Sequence, residues 1–167
     1  MNQVAALKPN QEFGYIKTKS GFVFNSDEDC WLIEDGVRRF KFDFKTINSD
    51  RSFLNSFKRV IAFYLEGSSA HHAQNLFSKT KMLINHSGAS VTVLSSADFL
   101  NYRASLKPSS QGVLSSIAGC FRKWQELGYE GLSEDLNHLL KDIRLKGNGN
   151  SIVPAQEAAN SRSKEVE

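Results

Sequence analysis

The side chains in this sequence best suited to chemistry are cations that fall between apolar positions rather than on them. Lys79 and Lys81, Arg103 and Lys107, Arg122 and Lys123, and then Lys141, Arg144 and Lys146 come in small groups, off the apolar stripes or at the ends of helix-like segments. Cations so placed can neutralise phosphates. Ser109-Ser110-Gln111 precedes an apolar-periodic run, and a helix start there would offer hydroxyls, an amide and free backbone N–H groups to a phosphate or a base edge. A solvated basic surface would contain the same residues. The charge is unevenly distributed. Residues 1–48 carry seven Lys+Arg against seven Asp+Glu, residues 49–146 twelve against eight, and residues 147–167 two against three, so the excess of four lies in the middle.

Other chemistries find no support in the spacing. There is no phosphate loop, His-Glu-x-x-His, Gly-x-Ser-x-Gly or paired-Cys motif, and Gly147-Asn148-Gly149 lacks both a third glycine and a preceding strand. His71 and His72 are adjacent, so on a helix they point about 100° apart and make poor co-ligands. His86 and His138 stand alone. Asn85-His86-Ser87 matches a glycosylation sequon but follows no secretion signal. Cys30 and Cys120 are too few for a disulfide framework or a four-cysteine metal site and read as buried thiols. Tyr15 belongs to a strand, Tyr64 and Tyr102 to helices, and Tyr129 follows a glycine; all four read as packing residues. The sequence therefore assigns no catalytic residue, no metal ligand and no cofactor. It also contains no run of about 20 apolar residues, and the expectation is a cytoplasmic chain with no membrane partner.

The elements that must position the cations follow from periodicity. Between Phe13 and Phe44, short apolar runs alternate with turn signals, and Phe40-Lys41-Phe42-Asp43-Phe44-Lys45 places three aromatics on one face and three charges on the other. With Glu34-Asp35-Gly36 as a hairpin turn, this predicts a three- or four-stranded antiparallel meander, its aromatic face packed on the first helix. After Asp50 the period becomes helical. Phe53, Phe57, Ile61 and Tyr64 mark a first helix ending at Gly67, and Ser68-Ser69 caps a second, carrying Ala73, Leu76, Phe77, Thr80, Leu83 and Ile84. Val91-Thr92-Val93 is an extended link, and Ser95-Ser96-Ala97-Asp98 has the spacing of a capping box opening a short third helix. Ser109-Ser110 is read as the cap of the longest helix, with Val113, Leu114, Ile117, Ala118, Phe121 and Trp124 inward. Ser133 caps a fifth, carrying Leu136, Leu139, Leu140 and Ile143, after which basic residues close it and periodicity stops.

Residues 69–146 resemble the core-binding domain of tyrosine recombinases, the phage-integrase family. The likeness rests on the helix ending in Phe77 to Ile84, on "VLSSADFLNYRASL", on "SSQGVLSSIAGCFRKWQELGY", on "GLSEDLNHLLKDIRLKGN", and on the linker-like "IRLKGNGNSIVP". It covers about half of the chain. The resemblance implies a SAM-like four- to five-helix bundle that clamps one face of duplex DNA. Ahead of it, the strands would take the place of the small strand-rich arm-binding domain found in some members. The family's catalysis needs an Arg, a Lys, a His-x-x-Arg element and a nucleophilic Tyr in a further domain, which this sequence does not supply.

The resulting expectation is an α+β, mainly α chain. It has a strand-rich region at 1–48, a helical DNA-binding domain at 49–146 and a flexible linker at 147–167. By its resemblance it is the non-catalytic N-terminal portion of a bacterial or phage recombinase, associated with the nucleoid and meeting other protomers on DNA. The expected DNA contacts are Arg103, Lys107, Ser109, Ser110 and Gln111, supported at phosphates by Lys79, Lys81, Arg122, Lys123, Lys141 and Arg144. A helical protein-interaction module, its cations merely solubilising, is the alternative reading.

Overall fold

The computed structural model describes residues 13–145 and 152–154. The chain runs through four short strands, β1 (Tyr15–Lys17), β2 (Val23–Asn25), β3 (Cys30–Asp35) and β4 (Arg38–Asp43), into five helices. These are α1 (Arg51–Gly67), α2 (Ala70–Ile84), α3 (Ser96–Ser105), α4 (Val113–Glu126) and α5 (Glu134–Asp142); two strands follow, β5 (Ile143–Leu145) and β6 (Ile152–Pro154). The fold is α+β and mainly helical.

The strand region is two antiparallel hairpins rather than one continuous meander: β1 pairs with β2 and β3 with β4, with no ladder between β2 and β3. Two local commitments separate them. Buried Ser26 closes the first hairpin, its N–H and hydroxyl both donating to the Gly14 carbonyl at 2.9 and 2.6 Å. Trp31 Nε1 then donates to Glu28 O at 2.7 Å, which fixes the turn leading into β3. The β3–β4 turn is where the sequence places it, with Asp35 opposite Arg38 and Gly36 at φ 64°, a conformation few other residues adopt.

The alternation in β4 is realised. Phe40 and Phe42 are buried on the strand's inner face and Phe44 is buried just beyond it, while Lys41 and Lys45 are exposed. The aromatic face packs on α2 as well as α1: Phe42 and Phe44 lie 5.5 and 5.0 Å from Phe77, and Phe44 lies 5.7 Å from Phe57. From Phe57 the contacts continue to Trp124 of α4 and through Phe121 to Phe99 of α3. Strands and helices thus contribute to one core.

Helix starts follow the polar signals in most cases. Asp50 caps α1 through the Phe53 N–H, Ser69 caps α2 through the His72 N–H, and Ser95 with Asp98 forms a complete capping box on α3. The Ser133 hydroxyl accepts from the Leu136 N–H at the start of α5 and donates to Asp135, whose carboxyl it holds below its ordinary range together with Ser96. The link before α3 is tied at both ends, Val91 bridging Ser49 and Leu94 bridging Leu132. The longest helix is α1, not α4. At the C-terminal end, Ile143 and Arg144 belong to β5 rather than to the last helix turn, and β5 pairs with β6, so residues 152–154 are strand where a structureless linker was expected.

One polar cluster is embedded in this packing. Lys58 of α1 is 1% exposed; its Nζ donates to Asp29 Oδ1 at 2.9 Å and to Asp27 O at 3.1 Å, while Arg51 holds both Asp29 oxygens at 2.9 Å. The Arg51 guanidinium, with Lys58 beside it, holds the Asp29 carboxyl well below the 3.8 of a free group, against the opposing effect of burial. A depressed folded-state pKa means that the stabilisation is complete above the free carboxyl's range, begins to fall there, and is lost only as pH drops through the lowered folded-state value. Asp29→Asn, which leaves the Lys58 charge buried, is expected to lower stability by about 2 kcal/mol in urea denaturation at neutral pH. The gap to the parent should begin to narrow below about pH 4, where the unfolded chain takes up a proton that the paired Asp29 of the folded state still excludes.

Candidate nucleic-acid interface

The cations singled out in the sequence lie on α2, α3, α4 and α5, at Lys107 between α3 and α4, and at Arg144 in β5. On α2, Lys79 is half-buried and its Nζ lies 3.4 Å from Ser116 Oγ of α4. Lys81, two residues on, is turned about 200° around the helix. It shares a row with Gln74 and Asn85, whose amides donate to Lys41 O and Thr46 O at 3.2 and 2.8 Å. That row faces the β3–β4 hairpin, so Lys79 and Lys81 do not serve one surface.

Between α3 and α4 the structure departs from expectation. Pro108 starts a 3-10 turn, Pro108–Ser110, with Ser110 N–H bonded to Lys107 O at 2.8 Å and Gln111 N–H to Pro108 O at 3.3 Å. α4 begins only after Gly112, with no side-chain cap, so Ser109 and Ser110 are exposed turn residues rather than caps. Several N–H groups expected to be free are already satisfied. Gln111 is 9% exposed, and its Nε2 donates to Arg103 O at 3.1 Å and Leu106 O at 3.4 Å, closing the C-terminal end of α3. Its amide is committed inside the fold, not offered to a base edge. Arg103 is half-buried in the last turn of α3, and Lys107 is exposed.

Along α4, Arg122 donates to Leu140 O at 2.9 Å, and Lys123 pairs with Glu126 at 3.0 Å with its ammonium 5.1 Å from the centre of the Phe63 ring. Lys141 is exposed on α5. Arg144 lies in β5 with its side chain outside the described residues, as does all of Lys146. Of the seven cations with described side chains, Lys123 alone has a carboxylate within ion-pair distance. The sequence explains why. Between Glu66 and Glu126 stand six Lys and Arg but one acid, Asp98, and the α3 capping box occupies it. Lys107, Ser109 and Ser110 lead into one end of α4, Lys79 meets its first turns at Ser116, and Arg122 and Lys123 lie two turns further on, a row of about 20 Å. Gly119 sits exposed among them, and a Cβ built there would meet nothing within 4 Å.

Charged and aromatic residues outside these groups also hold notable positions. Lys58 falls at helical spacing between Leu54 and Ile61, on the apolar stripe itself, which is the signature of a buried charge needing a partner. Arg38 and Arg39 are exposed at the start of β4, Arg38 4.9 Å from the Phe40 ring and 3.5 Å from His71 Nδ1. Tyr15, expected to pack, is 79% exposed.

Among the described residues no group of three metal-ligating side chains exists and no helix is long and apolar enough to cross a membrane. Burial pushes the Cys120 thiol and the Tyr129 hydroxyl up to about 12, and raises Tyr64 and Tyr102 as well, which disfavours the anionic form of each. Glu66 is raised by burial to about 7.

No protein-family model, curated protein or solved structure matches this chain. The candidate interface therefore stands on its own geometry. Gln111→Ala is expected to lower stability by about 1 kcal/mol, since it leaves Leu106 O without a donor and leaves Arg103 O with the Leu106 N–H alone. Lys107→Ala and Ser109→Ala should stay within about 0.5 kcal/mol of the parent. Urea denaturation of the three variants checks the division.

Proposed function

We propose that this chain binds duplex DNA along the exposed side of α4, as the non-catalytic, DNA-gripping part of a tyrosine-recombinase-like protein. The observation that carries the reading is the tract between Glu66 and Glu126: six cations, one acid already used as a cap, and no carboxylate paired with Lys79, Arg103, Lys107 or Arg122. Phosphates attract such a surface at long range and are neutralised on contact. Lys79, Lys107, Arg122 and Lys123, with Ser109 and Ser110, contact the backbone. Arg103 extends the surface from α3. Gly119 lets the backbone approach α4 where any side chain would hold it away.

A second reading has its own support. Tyr15, Val23, Leu32 and Val37 are exposed large apolar side chains on the hairpins, a surface that suits a protein partner. Salt separates the two readings, because phosphate binding weakens steeply with ionic strength and an apolar interface does not.

Fluorescence anisotropy with a labelled duplex of about 30 base pairs, at low and near-physiological salt, is the test. Micromolar binding that falls steeply with salt is expected, with the slope of log K against log[salt] reduced by about 0.9 for each of Lys79→Ala, Lys107→Ala and Arg103→Ala. Binding that is absent at low salt, or unchanged in all three variants, rejects the interface. Gly119→Ala separates contact from charge: it should raise stability by about 0.5–1 kcal/mol through helix propensity and yet weaken DNA binding at unchanged salt slope. Unchanged affinity in this variant would show that nothing closely approaches α4.

A further inference from the structure

A half-open cavity of about 300 Å³ lies where the C-terminal turn of α2 meets α3, lined by Leu83, Ile84, His86, Ser87, Leu94, Asp98 and Asn101. Its floor is aliphatic: Leu83, Ile84 and Leu94 are each at most 2% exposed. Its rim consists of groups able to accept hydrogen bonds. Asp98 uses only Oδ2 in the capping box, which takes the Ser95 N–H and hydroxyl at 2.8 and 3.1 Å, and its Oδ1 has no partner among the described residues. The Asn101 amide has no partner there either, and the His86 ring is held edge-on to Tyr102 at 5.3 Å.

We propose that this cavity binds a primary alkylammonium group. An ammonium has three donors and no acceptor, which matches a rim of carboxylate, carboxamide and hydroxyl oxygens. Its aliphatic stem lies on the leucine and isoleucine floor while the charged head stays at the open mouth. The carboxylate matters because it is the one acid among the residues that line the cavity, and no Lys or Arg lines it. An anion gains nothing from Asp98. The group comes either from a free aliphatic amine or from a lysine side chain of a second copy of this chain.

The experiment is a titration of the full chain with n-butylammonium chloride, followed by amide chemical shifts, against n-butanol and against sodium chloride of equal ionic strength. Saturable shifts centred on Ile84, Leu94, Asp98 and Asn101 are expected with butylammonium. Asp98→Asn, which keeps an oxygen for the Ser95 cap, should bind about tenfold more weakly. Shifts that do not saturate, equal shifts with butanol, or equal affinity in Asp98→Asn overturn the proposal; if that variant does not fold, the comparison with butanol decides. Sedimentation equilibrium separates the sources. Self-association reversed by butylammonium assigns the lysine of a second copy, whereas a monomer that binds butylammonium assigns the free amine.

Discussion

Phe57, on the second turn of α1, meets aromatic rings from three other parts of the chain. Phe77 of α2 stacks on it at 5.7 Å and 7°, Trp124 of α4 at 5.8 Å and 13°, and Phe44 at the end of the hairpins meets it edge-on at 5.7 Å. Each aromatic pair of this kind contributes about 0.5–1.5 kcal/mol beyond the area it buries. The larger consequence is geometric. Three segments far apart in sequence must converge on one ring for the core to close, so the relative placement of the hairpins, α2 and α4 is a single condition. The row of cations along α4 therefore inherits its position from contacts on the opposite side of that helix. Trp124 is fully buried against Phe53, Phe57 and Phe121, while its neighbours Arg122 and Lys123 reach outward to α5 and α1.

Burying α1 so completely has an electrostatic consequence. A helix that meets strands on one side and two helices on the other has little solvent-facing surface, and Lys58, one residue beyond Phe57, ends inside. The buried ammonium requires a carboxylate, and Asp29 is drawn to it from the corner between the hairpins, with Arg51 of the same helix closing the other side of the carboxylate. That corner is where an uninterrupted sheet would have had to pass from β2 to β3. The ion cluster and the separation of the hairpins occupy the same few residues, Ser26 to Cys30, and both serve to bring Trp31 and Phe44 onto α1 at the right height.

How much of this was legible depends on the range of the interaction responsible. The capping box at Ser95 and Asp98, the α1 stripe through Phe53, Phe57 and Ile61, the alternation of Phe40, Phe42 and Phe44 and the Ser133 cap are all settled within a few residues, and each is found where the sequence put it. Ser109 and Ser110 show the limit of that reasoning. Two serines ahead of an apolar run are the usual mark of a helix start, but Pro108 organises them into a 3-10 turn of its own and shifts the helix start beyond Gly112. Gln111 shows a second limit. Its carbonyl partners lie five and eight residues back, across a change of helix, where no periodicity connects them. The β5–β6 pairing, across a Gly- and Asn-rich stretch, is equally invisible to a pattern that looks for apolar repeats.

The cations themselves divide by whether the fold uses them. Lys58 and Arg51 are tied to Asp29, Arg122 holds the end of α5 through Leu140 O, and Lys123 has both Glu126 and the Phe63 ring. Arg103 and Lys107 have no such structural partner, and Lys79 has only a long contact to Ser116. A solubilising surface would mix both signs of charge, because like charges in proximity repel and acids interspersed among them relieve the strain at no structural cost. Here acids are missing from a stretch that spans three helices and their connections, although it has exposed Ser, Asn and His, such as His72, Ser78, Ser87 and Asn101, where Glu or Asp could have stood. The absence of acids is thus not imposed by burial or by helix formation. An external anion would relieve the same repulsion, and a phosphate backbone along α4, as proposed, would do so at several of these residues together.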